Sequence, residues 1–300
     1  MSLSILIPIY NFDVKNLVND LHKQCKELAI DFEIILVDDC SKSEFHIKNK
    51  ELDSVSNVSY ERLEKNIGRS KIRNYLLNKA SYENCLILDC DVAIVSEYYV
   101  KNYLDVITDN CVIVGGHLYQ KNPPKEKSLM LHWKYGTQVE CKSLKERLKK
   151  PYDSFMTNSF LIQKWTFNKV KFDESLIKHG HEDTMFGIEL RVNNIEIKHI
   201  DNPVLHLGLK TAKDFLRGEK ESIVNLVRLS NDSKKEKSIV KNSKLLSSEK
   251  NMLLNIYYYL TRFYYRNRLD KMLLGDNPSL KMFTLWKYFN LKELRKSIGN

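Results

Sequence analysis

Hydrophobic positions fall into short continuous runs in the first two thirds of the chain and into helical stripes in the last third. Ser4-Ile5-Leu6-Ile7-Pro8-Ile9-Tyr10, Phe32-Glu33-Ile34-Ile35-Leu36-Val37, Leu86-Ile87-Leu88 and Cys111-Val112-Ile113-Val114 are apolar with little alternation. Runs of this length between turn-forming residues predict strands buried on both faces, as in a parallel sheet. Residues 58–63 form a weaker third strand. Pro8 cannot donate to a ladder, so the first strand is expected to end near it. Helical patterns alternate with these runs. Leu17, Val18, Leu21 and Leu28 share one face behind Asp13, the expected cap. Gly68 precedes a predicted helix to about Ala80, and Val95-Ser96-Glu97 opens another to about Ile107. Strands alternating with helices as far as Gly115-Gly116 predict an α/β fold with a mostly parallel, doubly wound sheet.

Beyond that point the pattern changes twice. Residues 120–153 are polar, with Pro123-Pro124 and many lysines, and are expected to form an inserted loop with a short helix. Order resumes at Ser154-Phe155-Met156, and a helix is predicted from Glu182-Asp183 through Arg191. Ile195-Glu196-Ile197-Lys198-His199-Ile200 is strand-like. From residue 209 the chain becomes helical and basic. Residues 213–229 form an amphipathic stripe, and residues 230–250 are lysine-rich and expected to be mobile. Residues 252–274 are apolar and tyrosine-rich, interleaved with Arg262, Arg266, Arg268 and Lys271. Asn277-Pro278 predicts a cap and a first helical position for the last helix. Two domains follow: residues 1–208, carrying the sheet, and residues 209–300, a helical extension.

The chain has 300 residues and a formal net charge of +10. That charge is unevenly placed: residues 209–300 hold 20 Lys/Arg against 9 Asp/Glu, while the first 208 are nearly neutral. Such asymmetry implies an anionic partner for one end, a membrane surface or a nucleic acid. Basic helices with aromatic residues suit an interfacial bilayer surface, and packing on the catalytic domain or on a second chain is the alternative for residues 252–296. The six cysteines include no C-x-x-C pair, which argues against a zinc ribbon or a disulfide scaffold and points to a reducing compartment. Met1-Ser2-Leu3-Ser4-Ile5 reads as strand rather than signal peptide, and no apolar run of spanning length occurs.

The candidate chemistry lies at predicted strand and helix ends. Asp89-Cys90-Asp91 follows the apolar run 86–88, and ligands of open α/β sheets bind at strand ends. Two carboxylates at i and i+2 can share a hard cation, which commonly brings phosphates; a solvated turn uses the same residues. Asp38-Asp39 ends the second strand, where capping is the plain alternative. Arg69, Lys71 and Arg73 oppose the dipole of the helix they open, which an outside anion would answer. Glu182-Asp183 suits a helix cap or a general base. His206 is a core imidazole or a ligand. No G-x-G-x-x-G or Walker loop is present.

Five stretches together resemble the family-two glycosyltransferases, inverting enzymes with a glycosyltransferase A-type fold, of the kind that builds bacterial surface glycans. They are Ser4 to Asn11, Ile35-Leu36-Val37-Asp38-Asp39-Cys40-Ser41, Asn66 to Asn74, Leu88-Asp89-Cys90-Asp91 and Gly180-His181-Glu182-Asp183, in the family's order. The resemblance implies that Pro8, Tyr10 and Asp39 line a nucleobase and ribose pocket, with Asp38 supporting the turn, Arg73 near the nucleotide and Cys90 in the donor-binding turn. It implies that Asp89 faces the ribose or a metal-bound water and that Asp91 binds Mn²⁺ or Mg²⁺, with His206 as a further ligand. Asp183, with Glu182 beside it, resembles the catalytic base. The reaction implied is hexosyl transfer from a nucleotide sugar, UDP-linked by expectation, to a hydroxyl of a glycan or lipid-linked acceptor. The expected location is cytoplasmic, peripheral on the inner membrane face. Two positions depart from the family: Val92 stands where a third acidic residue is common, and Cys40 where glycine is usual.

Two other classes compete. A sugar-nucleotide nucleotidyltransferase should show a glycine-rich, Arg-containing loop after the first strand, and Ile9-Tyr10-Asn11-Phe12-Asp13 does not. A nucleic-acid-binding protein would use the basic aromatic tail but leaves the acidic motifs unexplained.

Overall fold

The computed structural model describes residues 1–176, 179–232, 239–240, 243–265 and 268–298. It divides into two compact units. The first comprises Met1–Gln120, Cys141–Ile177 and Glu182–Gly208; the second comprises Lys121–Glu140, Lys178–His181 and Leu209–Asn300. Two short segments upstream of residue 208 therefore sort with the tail.

The first unit is built on a seven-stranded sheet. Its strands are β1 (Ser2–Ile9), β2 (Asp31–Asp38), β3 (Val58–Arg62), β4 (Asn84–Leu88), β6 (Cys111–Val114), β8 (Ser159–Gln163) and β9 (Glu196–His199), in the order β3-β2-β1-β4-β8-β6-β9. All neighbours are parallel except β8, which runs antiparallel to both β4 and β6. A second, three-stranded sheet pairs β10 (Val204–His206) with β5 (Val92–Ile94) antiparallel and with β7 (His117–Leu118) parallel.

Alternation along the central strands explains their unbroken apolar runs. Leu3, Ile5, Ile7 and Ile9 of β1 and Leu86 and Leu88 of β4 enter one core cluster with the helices Lys15–Glu27 and Tyr99–Leu104. Leu6, Cys85 and Ile87 enter the other, with the helices Arg69–Lys79 and Glu182–Val192. Side chains alternate faces along a strand, so a sheet covered on both sides needs apolar residues at every position. β1 ends at Ile9, one residue past Pro8 and close to where the proline was expected to end it. The β4 partner stops at Leu6, leaving the missing N–H without a ladder position on that edge, while Pro8 stays in register with Val37 of β2.

Several local expectations are corrected. Val14, not Asp13, is the N-cap of the first helix; Asp13 Oδ1 instead accepts the Lys15 N–H at 3.1 Å. The helix expected from Val95 begins at Tyr99, because Ser96 Oγ turns the chain by accepting the Tyr98 N–H. Residues 120–153 contain helices at Met130–Tyr135 and Leu144–Lys149, the latter with a capping box between Ser143 and Glu146. Lysine is a good helix former, and the Met130–Tyr135 helix stacks His132 on Phe215 at 4.6 Å between ring centres. The last helix, Leu280–Ile298, starts after Ser279 rather than at Pro278, and Asn277 Oδ1 accepts from Lys134 Nζ.

The second unit is helical. Ala212–Asn231 is capped by Thr211 Oγ1, which accepts the Asp214 N–H, and packs Phe215 against Tyr135 and Phe283. Ser243 Oγ caps Lys244–Ser248. Of residues 230–250, expected to be mobile, 233–238 and 241–242 lie outside the described set, as does Arg266, while Lys244–Ser248 is helical. Among the described residues no helix is long and apolar enough to cross a membrane.

Candidate active site

The carboxyl ends of β1 and β2 are joined tightly. The Asp39 N–H donates to Ile9 O at 2.8 Å, and the Asn11 N–H donates to Ser41 Oγ. Asp38 is fully buried, with Oδ1 accepting the Ser41 N–H and Oδ2 accepting Tyr60 Oη–H, both at 2.6 Å. It braces the turn. Asp39 reaches the start of the next helix, its Oδ1 accepting the Ile67 N–H at 2.6 Å and its Oδ2 the Gly68 N–H at 3.0 Å. Burial raises its pKa, with those two N–H groups opposing. Each oxygen keeps a further lone pair for a ligand. Pro8 is half-buried and Tyr10 is 54% exposed at the end of β1, so a planar base can meet the Tyr10 ring. Cys40 has φ +63°, a left-handed conformation that a glycine adopts without strain. This accounts for the family's usual glycine at the position.

The Asp89-Cys90-Asp91 turn links β4 to β5. Asp89 Oδ1 accepts from Arg73 Nη2 at 2.6 Å, and Arg73 is only 3% exposed, its guanidinium 5.7 Å from the centre of the Phe172 ring. Arg73 thus fixes the turn through Asp89. Burial, followed by the Asp91 charge, raises the Cys90 thiol pKa, while a backbone hydrogen bond from Tyr10 opposes it. The thiol is neutral and marks where the turn meets the end of β1.

Asp91 is placed by the small sheet. The register sets Val92 opposite His206, the Leu207 N–H donates to Asp91 O at 2.8 Å, and His206 Nδ1 lies 3.7 Å from Asp91 Oδ1. β10 reaches this position because Gly115 lets the chain at Asn202 pass: a Cβ on Gly115 would fall 2.3 Å from Asn202 O. A Cβ on Gly208 would fall 2.1 Å from Asp91 Oδ2. The bare glycine therefore leaves the Asp91 carboxylate its space beside the imidazole. Carboxylate oxygen and imidazole nitrogen at this separation suit Mn²⁺, and the oxygen alone suits Mg²⁺. Among the described residues no group of three or more such ligands converges. Gly208→Ala is expected to weaken Mn²⁺-dependent nucleotide binding about tenfold or more, by an overpacking clash of about 1–3 kcal/mol. Isothermal titration with and without Mn²⁺ measures it.

The helix Glu182–Val192 brings its first turn to the same place. Arg69 Nη1 lies 3.2 Å from Glu182 Oε1. The Arg69 side chain is 49% exposed, and the Glu182, Asp89 and Asp91 charges raise its pKa. The Asp183 carboxyl is pushed up to about 7, first by burial and then by the Glu182 charge, against the Thr184 N–H and Arg73. Four carboxylates from two separate stretches therefore share the field of Arg69 and Arg73. Tyr60 and Gly208 are site residues not singled out from sequence, whereas Arg69 was marked there as a helix-start cation awaiting an anion. His117 and Tyr119 flank His206, with the Tyr119 ring 5.0 Å from the imidazole. Burial and the His206 charge lower the His117 pKa to about 4. The alternation of β7 against β10, which puts His117, Tyr119 and His206 on one face, was the available signal.

A mostly parallel sheet with acidic turns at its strand ends and a carboxylate helix start facing them defines a glycosyltransferase of the A-type fold. The sequence model of glycosyl transferase family 2 matches residues 4–174, and the chain belongs to that family and is a glycosyltransferase. It is 30% identical over 221 residues to the chondroitin synthase of Escherichia coli, covering 63% of this chain and 32% of that protein. It is 25% identical over 237 residues to the chondroitin synthase of Pasteurella multocida (strain Pm70), covering 67% and 24%. The chain thus spans a third or less of these relatives' length. Among solved structures it resembles S. aureus TarS 1–349 in complex with UDP-GlcNAc, at 17% identity and TM-score 0.52 over 99% of this chain and 92% of that one. It also resembles a mannosyltransferase from Pyrobaculum calidifontis in complex with GDP-Man and Mn²⁺, at 9% identity and TM-score 0.56 over 97% and 87%. At these identities the structural likeness is one of fold.

Proposed function

We propose that the protein transfers a hexose, with inversion, from a UDP-linked donor to a hydroxyl of a growing glycan or a lipid-linked acceptor, using Mn²⁺ or Mg²⁺. The observation that carries this reading is the convergence of Asp89 and Asp91 with Glu182 and Asp183 around two arginines. Family membership sets aside the nucleotidyltransferase reading. The names of the relatives, both chondroitin synthases, support a glycan product.

In this mechanism Tyr10 and Asp39 hold the nucleoside, and Asp38 and Arg73 fix the turns that carry the contacts. Asp91 and His206 would hold the divalent cation, which as a Lewis acid stabilises the charge on the departing diphosphate. Asp183 takes the proton of the acceptor hydroxyl as its oxygen bonds to the anomeric carbon. The bond from that carbon to the diphosphate oxygen breaks, and the nucleoside diphosphate leaves with the electron pair. A pKa near 7 suits a base working near neutral pH. Glu182 adds its charge to the rise that burial begins, while Arg69 holds Glu182 in place.

The direct test is a screen of nucleotide sugars for metal-dependent binding and hydrolysis. A UDP-sugar is expected to be bound and slowly hydrolysed only with Mn²⁺ or Mg²⁺; activity unaffected by a chelator contradicts the metal assignment. Glu182→Gln removes a negative neighbour of Asp183. The acid limb of kcat/KM against pH is therefore expected to move to lower pH. A limb that stays in place or moves up shows that Glu182 does not set it.

A further inference from the structure

The helix Met252–Tyr265 has two unlike faces. Its inner face buries Tyr258, 1% exposed, edge-on to the Phe289 ring at 5.0 Å, with the Tyr258 hydroxyl donating to Glu293. This anchors the helix within the second unit, and the opposite face is bare. Leu253, Leu260 and Phe263 are 75%, 79% and 76% exposed, and Ile256 lies between them in the same stripe. Their spacing of three, four and three residues is that of one helical face. The helix spans about 21 Å. An isolated exposed leucine needs no explanation, but a continuous apolar stripe of this length marks an interaction surface.

The charges around the stripe decide what it meets. Met252–Tyr265 contains no acidic residue, and its one charged side chain, Arg262, lies over the Phe263 ring at 4.8 Å. Arg268 lies over the Tyr264 ring at 3.9 Å. Asp270, on the next helix, is taken by Trp286 Nε1. Arg262 turns inward to the Tyr258 hydroxyl, so Arg268 is the cation beside the stripe; in a unit whose residues 209–300 hold 20 Lys/Arg against 9 Asp/Glu, two copies meeting through this face would bring like charges together. A surface that accepts apolar side chains and offers phosphates answers both features.

We propose that the outward face of Met252–Tyr265 docks on an anionic lipid bilayer, with Leu253, Ile256, Leu260 and Phe263 entering the acyl boundary and Arg268 at its edge meeting headgroup phosphates. The helix lies in the plane of the interface and does not span it. The surface is independent of the chemistry assigned to the carboxylates, so its test stands apart from that reading.

The test is sedimentation of the full chain with vesicles rich in phosphatidylglycerol and with vesicles of phosphatidylcholine alone. The chain is expected to pellet with the first and to do so far less with the second. Binding should drop about tenfold or more as salt rises from about 0.1 M to about 1 M, where the screening length falls from about 10 Å to about 3 Å. The double variant Leu260→Asp, Phe263→Asp is expected to lose about a hundredfold in partitioning, because each buried side chain contributes about tenfold or more. The circular dichroism spectrum and melting temperature of that variant should match wild type, which reports that it is folded. Wild-type pelleting by the variant, or equal pelleting with both vesicle types, overturns the proposal. It is equally overturned if the chain ignores vesicles, whether it stays monomeric or forms a dimer that the variant dissolves.

Discussion

Asp183→Asn is expected to lower kcat by about 10²–10⁴-fold while leaving UDP-sugar affinity within a few-fold of wild type. The amide keeps the size of the carboxyl and the start of the helix but cannot take a proton. Single-turnover transfer to an acceptor, beside calorimetric donor binding, separates the two quantities. The wild-type rate should rise with pH through about 7, where the Asp183 carboxyl ionises. Stability supplies an independent sign. Burial raises the folded-state pKa above the usual carboxylate value, so the folded protein binds the extra proton between about pH 4 and pH 7. Stability falls as pH rises through that window and is lowest above it. The asparagine variant lacks this penalty and should melt at a higher temperature than wild type at pH 8, with the gap closing toward pH 4. A variant that is both inactive and less stable at pH 8 points to a structural role instead.

Asp91→Ala is the second large effect expected. Losing a direct carboxylate ligand should cost at least the roughly 10–100-fold in metal affinity typical of losing an outer-shell partner. Nucleotide binding in the presence of Mn²⁺ should fall accordingly, while metal-free nucleotide binding changes little. The fold should persist, because Asp91 is part-exposed and its backbone carbonyl still receives the Leu207 N–H. An unchanged Mn²⁺ titration contradicts the assignment. Asp89→Ala should behave differently. It leaves buried Arg73 without its carboxylate, so a stability loss should accompany any loss of binding.

The sheet was legible because both of its faces are covered, which demands apolar residues at successive positions of β1, β2 and β4. The acidic turns were legible because aspartate is unwelcome inside strands and so marks their ends. Strand direction was not legible: Ser159–Gln163 is as apolar as its neighbours, and nothing in a buried run shows that β8 is antiparallel to both. The helix at Met130–Tyr135 was hidden because Phe215, its ring partner, lies some eighty residues later. Within the site, residue types were readable but their pairings were not. Arg73 was expected near the nucleotide, and its grip on Asp89 was not foreseen. Asp39 was expected at the nucleobase and also clamps Ile67 and Gly68. Such contacts depend on where separate loops come to rest.

The strand order governs how the molecule forms as well as how it works. Every partner in β3-β2-β1-β4 lies within the first 88 residues, and this half can close while the chain is still being made. The other edge of β4 waits for β8, which begins at Ser159. At about 5–20 residues per second, that edge stays open for roughly 4–14 seconds on the ribosome. Open strand edges recruit other chains. Lesions between residues 95 and 158, away from the Asp89-Cys90-Asp91 turn and from His117 and Tyr119, that delay β8 would therefore appear first as lost soluble yield, and the molecules that do finish would retain normal catalysis.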